Sequence, residues 1–255
     1  MMNPASDSPP GVKSAERTLD VLELLASTQE RPTLSEIARR LDVPKSSLHK
    51  LLGTMERRGW VETDDISHTR YRVGLRALLT GTNYVDLDET VQLVLPLLAT
   101  LTDTLQEASH LGRLDGADIV YLAKRDSPHP LRMFSAVGRR LPAHATAMGK
   151  AILAQRRWEE VDALLPTQLK ALTASTITSR PRLRRELEEI RERGYAVDNE
   201  ESAEMMRAVA VVLPTPGLNN AISVSAPIQR LPEEKIVEYV ALLGQQCRSI
   251  PHFQH

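Results

Sequence analysis

The sequence predicts an α+β chain of two domains: an N-terminal winged helix-turn-helix, then a domain with a mainly antiparallel sheet. Three observations carry this reading. Pro44 to Gly59, PKSSLHKLLGTMERRG, places Leu48, Leu51, Leu52 and Met55 at helical spacing, one apolar stripe. A short helix with a capping signal precedes that stretch, and a short hairpin pattern follows it. From Ala108 onward the hydrophobic period changes from helical to strand-like.

The chain has 255 residues, enough for two domains with cores of their own. Hydrophobic residues make up 42 %, which excludes a disordered chain, and aromatics only 4 %, so those cores are aliphatic. The net charge is −1, so a nucleic-acid surface has to be a local patch. Such a patch exists between Ile37 and Arg58: Arg39, Arg40, Lys45, Lys50, Arg57 and Arg58 face only Asp42 and Glu56. Cys247 is the single cysteine, which excludes a disulfide within the chain and a thiolate metal cage. No apolar run is long enough to span a membrane, and residues 1–11, MMNPASDSPPG, read as a disordered tail without a signal-peptide layout. A cytoplasmic protein with no membrane partner is expected.

The first helix is expected over Ser14 to Thr28, with Leu19, Leu22, Leu25 and Ala26 inward and Val21 and Leu24 off that stripe. The second, Leu34 to Leu41, starts at Thr33, with Glu36 three residues on as its capping-box partner. Asp42 and Val43 turn the chain into the third helix, with Pro44 at its first position and Gly59 just past its end. Opposite the stripe of this third helix lie Ser46, Ser47, His49, Lys50, Thr54, Arg57 and Arg58. Short hydroxyls, an imidazole and lysines at an exposed helix start suit a recognition helix in the major groove. Trp60 to Glu62 and Tyr71 to Val73 read as the strands of a wing, with Asp64, Asp65, Ser67 and His68 at its tip. The DNA-contact candidates are therefore Ser35, Lys45, Ser46, Ser47, His49, Lys50, Thr54 and Arg57 on the helices, with Arg70 and Arg72 on the wing.

Gly74 to Thr82 reads as a linker helix, and Asp86 to Glu107 as a longer amphipathic run that Pro96 kinks or splits. Strands are expected at Ser109 to Arg113, Ile119 to Ala123, Leu131 to Ala136, Tyr195 to Val197, Arg207 to Leu213 and Asn220 to Ala226. Leu141 to Ala154 is a loop leading into a helix, with further helices at Trp158 to Leu164, Arg182 to Arg193 and Pro232 to Arg248. Domain bounds follow: the winged helix over 12–74, the linker over 75–85 and the second domain over 86–255.

Nothing in the sequence marks an active site. Gly149-Lys150 lacks the upstream glycine of a phosphate loop, and no nucleophile-elbow pattern occurs. His110, His129, His144, His252 and His255 show no metal-ligand spacing, and His144 reads as a structural or pocket hydrogen-bonder. No cofactor and no metal are expected. The alternatives are a small-molecule-binding enzyme with an appended winged helix, and a winged-helix DNA-binding protein without a ligand.

The chain resembles the IclR family of bacterial transcriptional regulators over nearly its whole length after the tail. The resemblance lies in LSEIARRLDVPKSSLHKLLGTMERRGWVE, in LPAHATAMGKAILA, and in GYAVDNEES followed by AISVSAPIQRL. It implies that the second domain is a GAF-like effector-binding domain. It also implies a regulator, a repressor or an activator and here read as a repressor of a catabolic operon, that binds palindromic double-stranded operator DNA as a homodimer or dimer of dimers. The implied effector positions are Met133, Ala147, Met148, Gly149, Asp198, Ala208, Ser223 and Ser225. Ala208 stands where many members carry cysteine, Met205 where glycine is usual, and Ala147 at a position that is often glycine. With Met133, Met148 and Met206 nearby, these departures lean toward an aromatic or medium-chain organic acid over glyoxylate or pyruvate.

Overall fold

The computed structural model describes residues 11–28, 30–64, 67, 69–130 and 135–250, and the chain divides into two compact units between Val85 and Asp86. The first unit holds α1 (Lys13–Ser27), α2 (Leu34–Leu41), α3 (Lys45–Arg57) and the paired strands β1 (Val61–Thr63) and β2 (Tyr71–Val73). The capping box at α2 forms: Thr33 N–H donates to Glu36 Oε2 at 2.7 Å, and Glu36 N–H donates to Thr33 Oγ1 at 3.3 Å. Asp42, with φ 51°, turns the chain toward α3. Pro44 is not the first helical residue but the N-cap, with ψ 133°. Its missing N–H costs nothing there, and its carbonyl accepts the Leu48 N–H at 3.0 Å. At the far end Gly59 takes φ 73°, and the Trp60 N–H reaches back to the Met55 carbonyl at 2.9 Å, a Schellman closure.

The core of this unit is Val21, Leu25, Ile37, Leu48, Leu52, Met55 and Val61. Here α1 corrects the expected stripe. Val21 is fully buried, whereas Leu19 is 58 % exposed and Ala26 lies outside the core. Leucines occupy both faces of α1, so spacing alone left two stripes open; Val21 and Leu25 lie on the one that meets α2 and β2. In the hairpin Val61 pairs with Val73 and Thr63 with Tyr71. Asp65 and His68 of the expected tip lie outside the described residues. Helix α4 (Leu75–Leu87) runs past the expected end at Thr82 and buries none of its residues.

The second unit begins with α5 (Glu89–Leu105), capped by Asp88 Oδ1 accepting the Val91 N–H at 3.1 Å. Pro96 lies inside this one helix and does not split it. A six-stranded antiparallel sheet follows in the spatial order β5-β4-β3-β8-β7-β6. Its strands are β3 (Ala108–Asp115), β4 (Asp118–Arg125), β5 (Arg140–Pro142), β6 (Ala196–Asn199), β7 (Met206–Val212) and β8 (Asn220–Pro227). Of the strand expected over Leu131 to Ala136, residues 131–134 lie outside the described residues, and Ser135 and Ala136 are not in a strand.

Helices α6 (Ala147–Leu153), α7 (Trp158–Leu164) and α8 (Arg180–Arg193) follow β5, and α9 (Ile236–Ser249) closes the chain. The last helix starts after a 3-10 turn at Glu233–Lys235, later than expected. Helix α6 packs on β6, β7, β8 and β3, with α8 against it; α5 packs on β3 and β4, and α9 on β7 and β8. The sheet thus lies between helices, which is why β3 and β8 are buried along nearly their whole length rather than on alternate residues.

Candidate nucleic-acid interface and effector pocket

In the first unit the expected DNA-reading groups surround the start of α3. Lys45, Ser46, His49, Lys50, Thr54 and Arg57 are exposed on α3, and Ser35 is exposed on α2. Ser47 is half-buried because Arg17 on α1 donates from Nη1 to its Oγ at 3.3 Å. Arg17 therefore belongs to this surface, and sequence reasoning missed it because the contact joins residues thirty positions apart. Arg57 donates to Thr54 Oγ1 at 3.2 Å, so these two candidates stand together in the last turn of the helix. On the wing, Arg72 is paired with Glu62, its cross-strand neighbour, at 2.8 Å, and Arg70 donates to the Arg31 carbonyl at 2.8 Å. Both wing arginines are exposed, and both keep guanidinium N–H groups beyond these contacts for a phosphate.

In the second unit the expected effector residues converge between the start of α6 and the sheet. Pairing places Asp198 of β6 opposite Ala208 of β7, and Ala208 opposite Ser225 of β8. The next row on the same face carries Ala210, Ser223 and His110. Ala147 and Met148 of α6 close the opposite wall. Asp198, Ala208, Ser223, Ser225, Ala147 and Met148 thus line one pocket.

Gly149 is not among the described residues that line this pocket. Its N–H is donated to the capping Thr146 Oγ1 at 3.0 Å. A Cβ at this position would lie 2.1 Å from the Ala143 carbonyl oxygen, so glycine here serves the close approach of two backbones. Met205 is 52 % exposed, while its neighbour Met206 lines the pocket. Met133 lies outside the described residues. The expected methionine lining therefore reduces, among the described residues, to Met148 and Met206.

The pocket also holds groups that sequence reasoning did not find: His110, Tyr121, Thr146 and Ser202. His110 Nε2 meets Ser135 Oγ at 2.9 Å, and its ring stands edge-on to Tyr121 at 5.3 Å between centroids. Burial, helped by the Lys124 charge and opposed by Asp126, lowers the His110 imidazole to about 4, so it is neutral at pH 7. Asp198 is held by three donors: the N–H groups of Glu201 and Ser202 on Oδ1, and the Ser202 hydroxyl on Oδ2. Burial nevertheless pushes the Asp198 carboxyl up. His144, one of the histidines weighed above, is buried with Nε2 against the Lys170 carbonyl at 3.1 Å, a structural position.

Behind the pocket, Lys150 of α6 is 1 % exposed and donates to Glu201 Oε1. Its ammonium also lies 3.4 Å from Glu186 on α8. The segment after β6 is thus clamped to the helix that forms the opposite wall. The only backbone groups of non-glycine residues at positive φ between β6 and β7 are Glu200 and Met205, at 61° and 60°, one at each end of this segment.

Among the described residues no helix is long and apolar enough to cross a membrane. Comparison with known proteins places both units in one family. Residues 14–65 match the IclR helix-turn-helix domain, and residues 82–252 match the bacterial transcriptional regulator IclR C-terminal domain. The chain is 38 % identical over 251 residues to the HTH-type transcriptional regulator KdgR of Escherichia coli, covering 95 % of this chain and 92 % of that protein. It is 31 % identical over 245 residues to the transcriptional repressor IclR of the same organism, covering 94 % and 89 %. The crystal structure of an IclR transcriptional regulator from Alicyclobacillus acidocaldarius superposes with a TM-score of 0.82 at 27 % identity, covering 94 % of this chain and 98 % of that one. The chain belongs to the IclR family of bacterial transcriptional regulators, a family of DNA-binding proteins and not of enzymes.

Proposed function

We propose that this protein is a cytoplasmic, sequence-specific repressor of a catabolic operon, released from a palindromic operator by a small organic acid. The observation that carries the reading is the exposed, basic start of α3, held by a capped α2 on one side and a wing on the other. In this reading residues 12–74 bind DNA, residues 75–85 link, and residues 86–255 bind the effector. Ser46, Ser47, His49 and Lys50 read base edges; Lys45, Arg57, Arg70 and Arg72 hold phosphates, with Ser35 and Thr54 beside them. Asp198, Ala208, Ser223, Ser225, Ala147 and Met148 receive the effector, with Met133 included from the resemblance.

A homodimer or dimer of dimers is part of the proposal. One recognition helix reads only a few base pairs, and a two-fold pair reads a palindrome. Helix α4 supports it, because Leu75, Leu78, Leu79, Tyr84 and Leu87 are large apolar side chains left exposed. Effector control has a mechanical basis in the pocket's size. The space enclosed is about 10 Å3, room for one water. An effector enters only if the segment between β6 and β7 moves relative to α6, and that displacement is the change passed on to the operator-bound state.

The experiment is selection of bound duplexes from a random pool at about 150 mM salt, because weak phosphate binding would dominate at low ionic strength. The expected result is an enriched palindrome with half-sites about one helical turn apart. Salt-sensitive retention without any enriched sequence would refute the assignment of α3 as a base reader.

A further inference from the structure

The effector pocket contains two buried polar atoms that find no partner in the chain: His110 Nδ1 and Ser225 Oγ. They belong to adjacent central strands. His110 pairs with Ser223, and Ser225 is the next residue along β8 on the same face. An unpaired buried polar group is costly, so the two together describe what the ligand has to supply. The other ring nitrogen of His110 is occupied by Ser135 Oγ. The ring is neutral at pH 7, and its Nδ1 is then a donor or an acceptor according to tautomer. A ligand hydroxyl satisfies either tautomer, a carboxylate only one, and a hydrocarbon edge neither.

Charge in the pocket points the same way. Arg207 is the one guanidinium among the described lining residues, and it is committed to Asn199 Oδ1 at 2.7 Å, the Leu231 carbonyl at 2.9 Å and Glu233 at 3.5 Å. Among the described lining residues no arginine or lysine is therefore left to neutralise a carboxylate there. Asp198 brings a carboxyl of its own, whose oxygens accept hydrogen bonds from hydroxyls. Thr146, Ser202 and Ser223 add three further hydroxyls to the lining. The two methionines that remain do not outweigh this polar set.

We infer that the effector is a hydroxylated aliphatic compound, a sugar acid or a polyol, whose hydroxyl groups meet His110 Nδ1 and Ser225 Oγ. The inference rests on the regulator reading of the proposed function; it replaces the aromatic or medium-chain acid that the sequence alone favoured, and its polyol arm departs from the organic acid named there. The carboxylate of a sugar acid sits away from Asp198, and the hydroxylated carbons lie against β3 and β8.

Titration calorimetry on the full chain tests it with two sets of matched probes: gluconate, sorbitol and hexanoate at six carbons, and glycerate, glycerol and propanoate at three. Benzoate is the aromatic control. The expected result is that a hydroxylated probe binds at least about tenfold tighter than its hydrocarbon match and than benzoate. Binding by the acid alone identifies a sugar acid, and binding by sorbitol or glycerol as well identifies a polyol. Ser225→Ala is expected to weaken that binding by about tenfold or more. It is not expected to lower Tm, because Ser225 Oγ holds no partner inside the chain. A purely structural serine would show the reverse pattern.

Tighter binding of hexanoate, propanoate or benzoate overturns the inference. So does unchanged affinity in Ser225→Ala, or no binding by any hydroxylated probe up to about 10 mM, a bound far weaker than effectors of use to a cell. Selection of duplexes is run on the same preparation. A palindrome enriched without binding of a hydroxylated probe refutes the inference alone; failure of both refutes the regulator reading as well.

Discussion

Lys150→Met should strongly destabilise the second unit. The Lys150 side chain is 1 % exposed, and Glu201, to which it donates, is 6 % exposed. Glu201 Oε2 already has no partner, so removing the ammonium leaves a whole carboxylate buried and uncompensated. Breaking one side of such a pair costs about 3–5 kcal/mol. Glu186 contributes less to this loss, because it is 21 % exposed and retains Arg193 at 2.9 Å. For a unit of this size each kcal/mol lowers Tm by about 2–4 °C, giving a fall of roughly 6–20 °C.

The assay is chemical and thermal unfolding followed by the fluorescence of Trp158. Trp60→Phe removes the other tryptophan, so the signal reports the second unit alone. The double variant Lys150→Met with Glu201→Leu should recover most of the loss, since an apolar pair of similar volume replaces a buried ion pair at little cost. The pH dependence has a definite sign. Burial, the largest influence, raises the Glu201 carboxyl above its ordinary value of 4.5, against the pull of Lys150. A raised carboxyl takes its proton readily in the fold, so its penalty is absent below the unfolded value and grows as pH rises through the folded one. The Lys150→Met deficit should therefore shrink toward pH 4.5. A deficit below about 1 kcal/mol at pH 7, or a double variant as unstable as the single, would refute the argument from burial.

Other outcomes follow from the same geometry. His110 is lowered from 6.5 to about 4, so its stabilising neutrality is complete above 6.5 and is lost as pH falls toward 4. Between pH 7 and pH 5 that loss is about 2 kcal/mol, and comparing the pH–stability curves of the wild type and His110→Gln should isolate it. Thr33→Ala should destabilise the first unit by about 1 kcal/mol in urea unfolding, and Thr33→Ser by much less. Gly149→Ala drives a Cβ to 2.1 Å from the Ala143 oxygen and should cost about 3 kcal/mol or more, seen as loss of the Trp158 transition at moderate urea. On the selected operator, Lys50→Ala should cost about 1–3 kcal/mol and relax base preference, whereas Arg70→Ala should weaken all duplexes and reduce the salt slope by about one unit. Equal, sequence-blind losses in both would reject their separate roles.

The helical first unit was largely legible because its signals are local. Thr33 and Glu36 lie one turn apart, the α3 stripe spans two turns, and Gly59 marks its own stop. Where α1 was misread, the cause was tertiary: leucines on two faces gave two stripes, and only the neighbours α2 and β2 chose Val21. The pocket was legible only in part. Ser223 and Ser225 alternate on one strand, and the resemblance supplied Asp198 and Ala208. His110, Tyr121 and Ser202 were not visible, because β3 is buried on both faces and its sequence carries no alternation to mark an inner side. Pairing β3 with β8 would have been the clue, since it sets His110 beside Ser223. Gly149 shows a further ambiguity: a glycine required by the Ala143 backbone looks, in sequence, like one required by a ligand.

The pairing of His110 with Ser223 also bears on how the gene product behaves while incomplete. Everything from α1 to β2 is encoded before residue 86, but the sensing wall needs β8, which begins at Asn220. A ribosome adding about 5–20 residues per second needs on the order of 10 s to cross that interval. During it the operator-reading half is already outside or emerging, and the strand that carries Ser223 and Ser225 does not yet exist. A stop codon upstream of Asn220 makes the same condition permanent, encoding every DNA-reading residue and leaving the pocket without its central strand. Such alleles should silence their target and ignore the inducer.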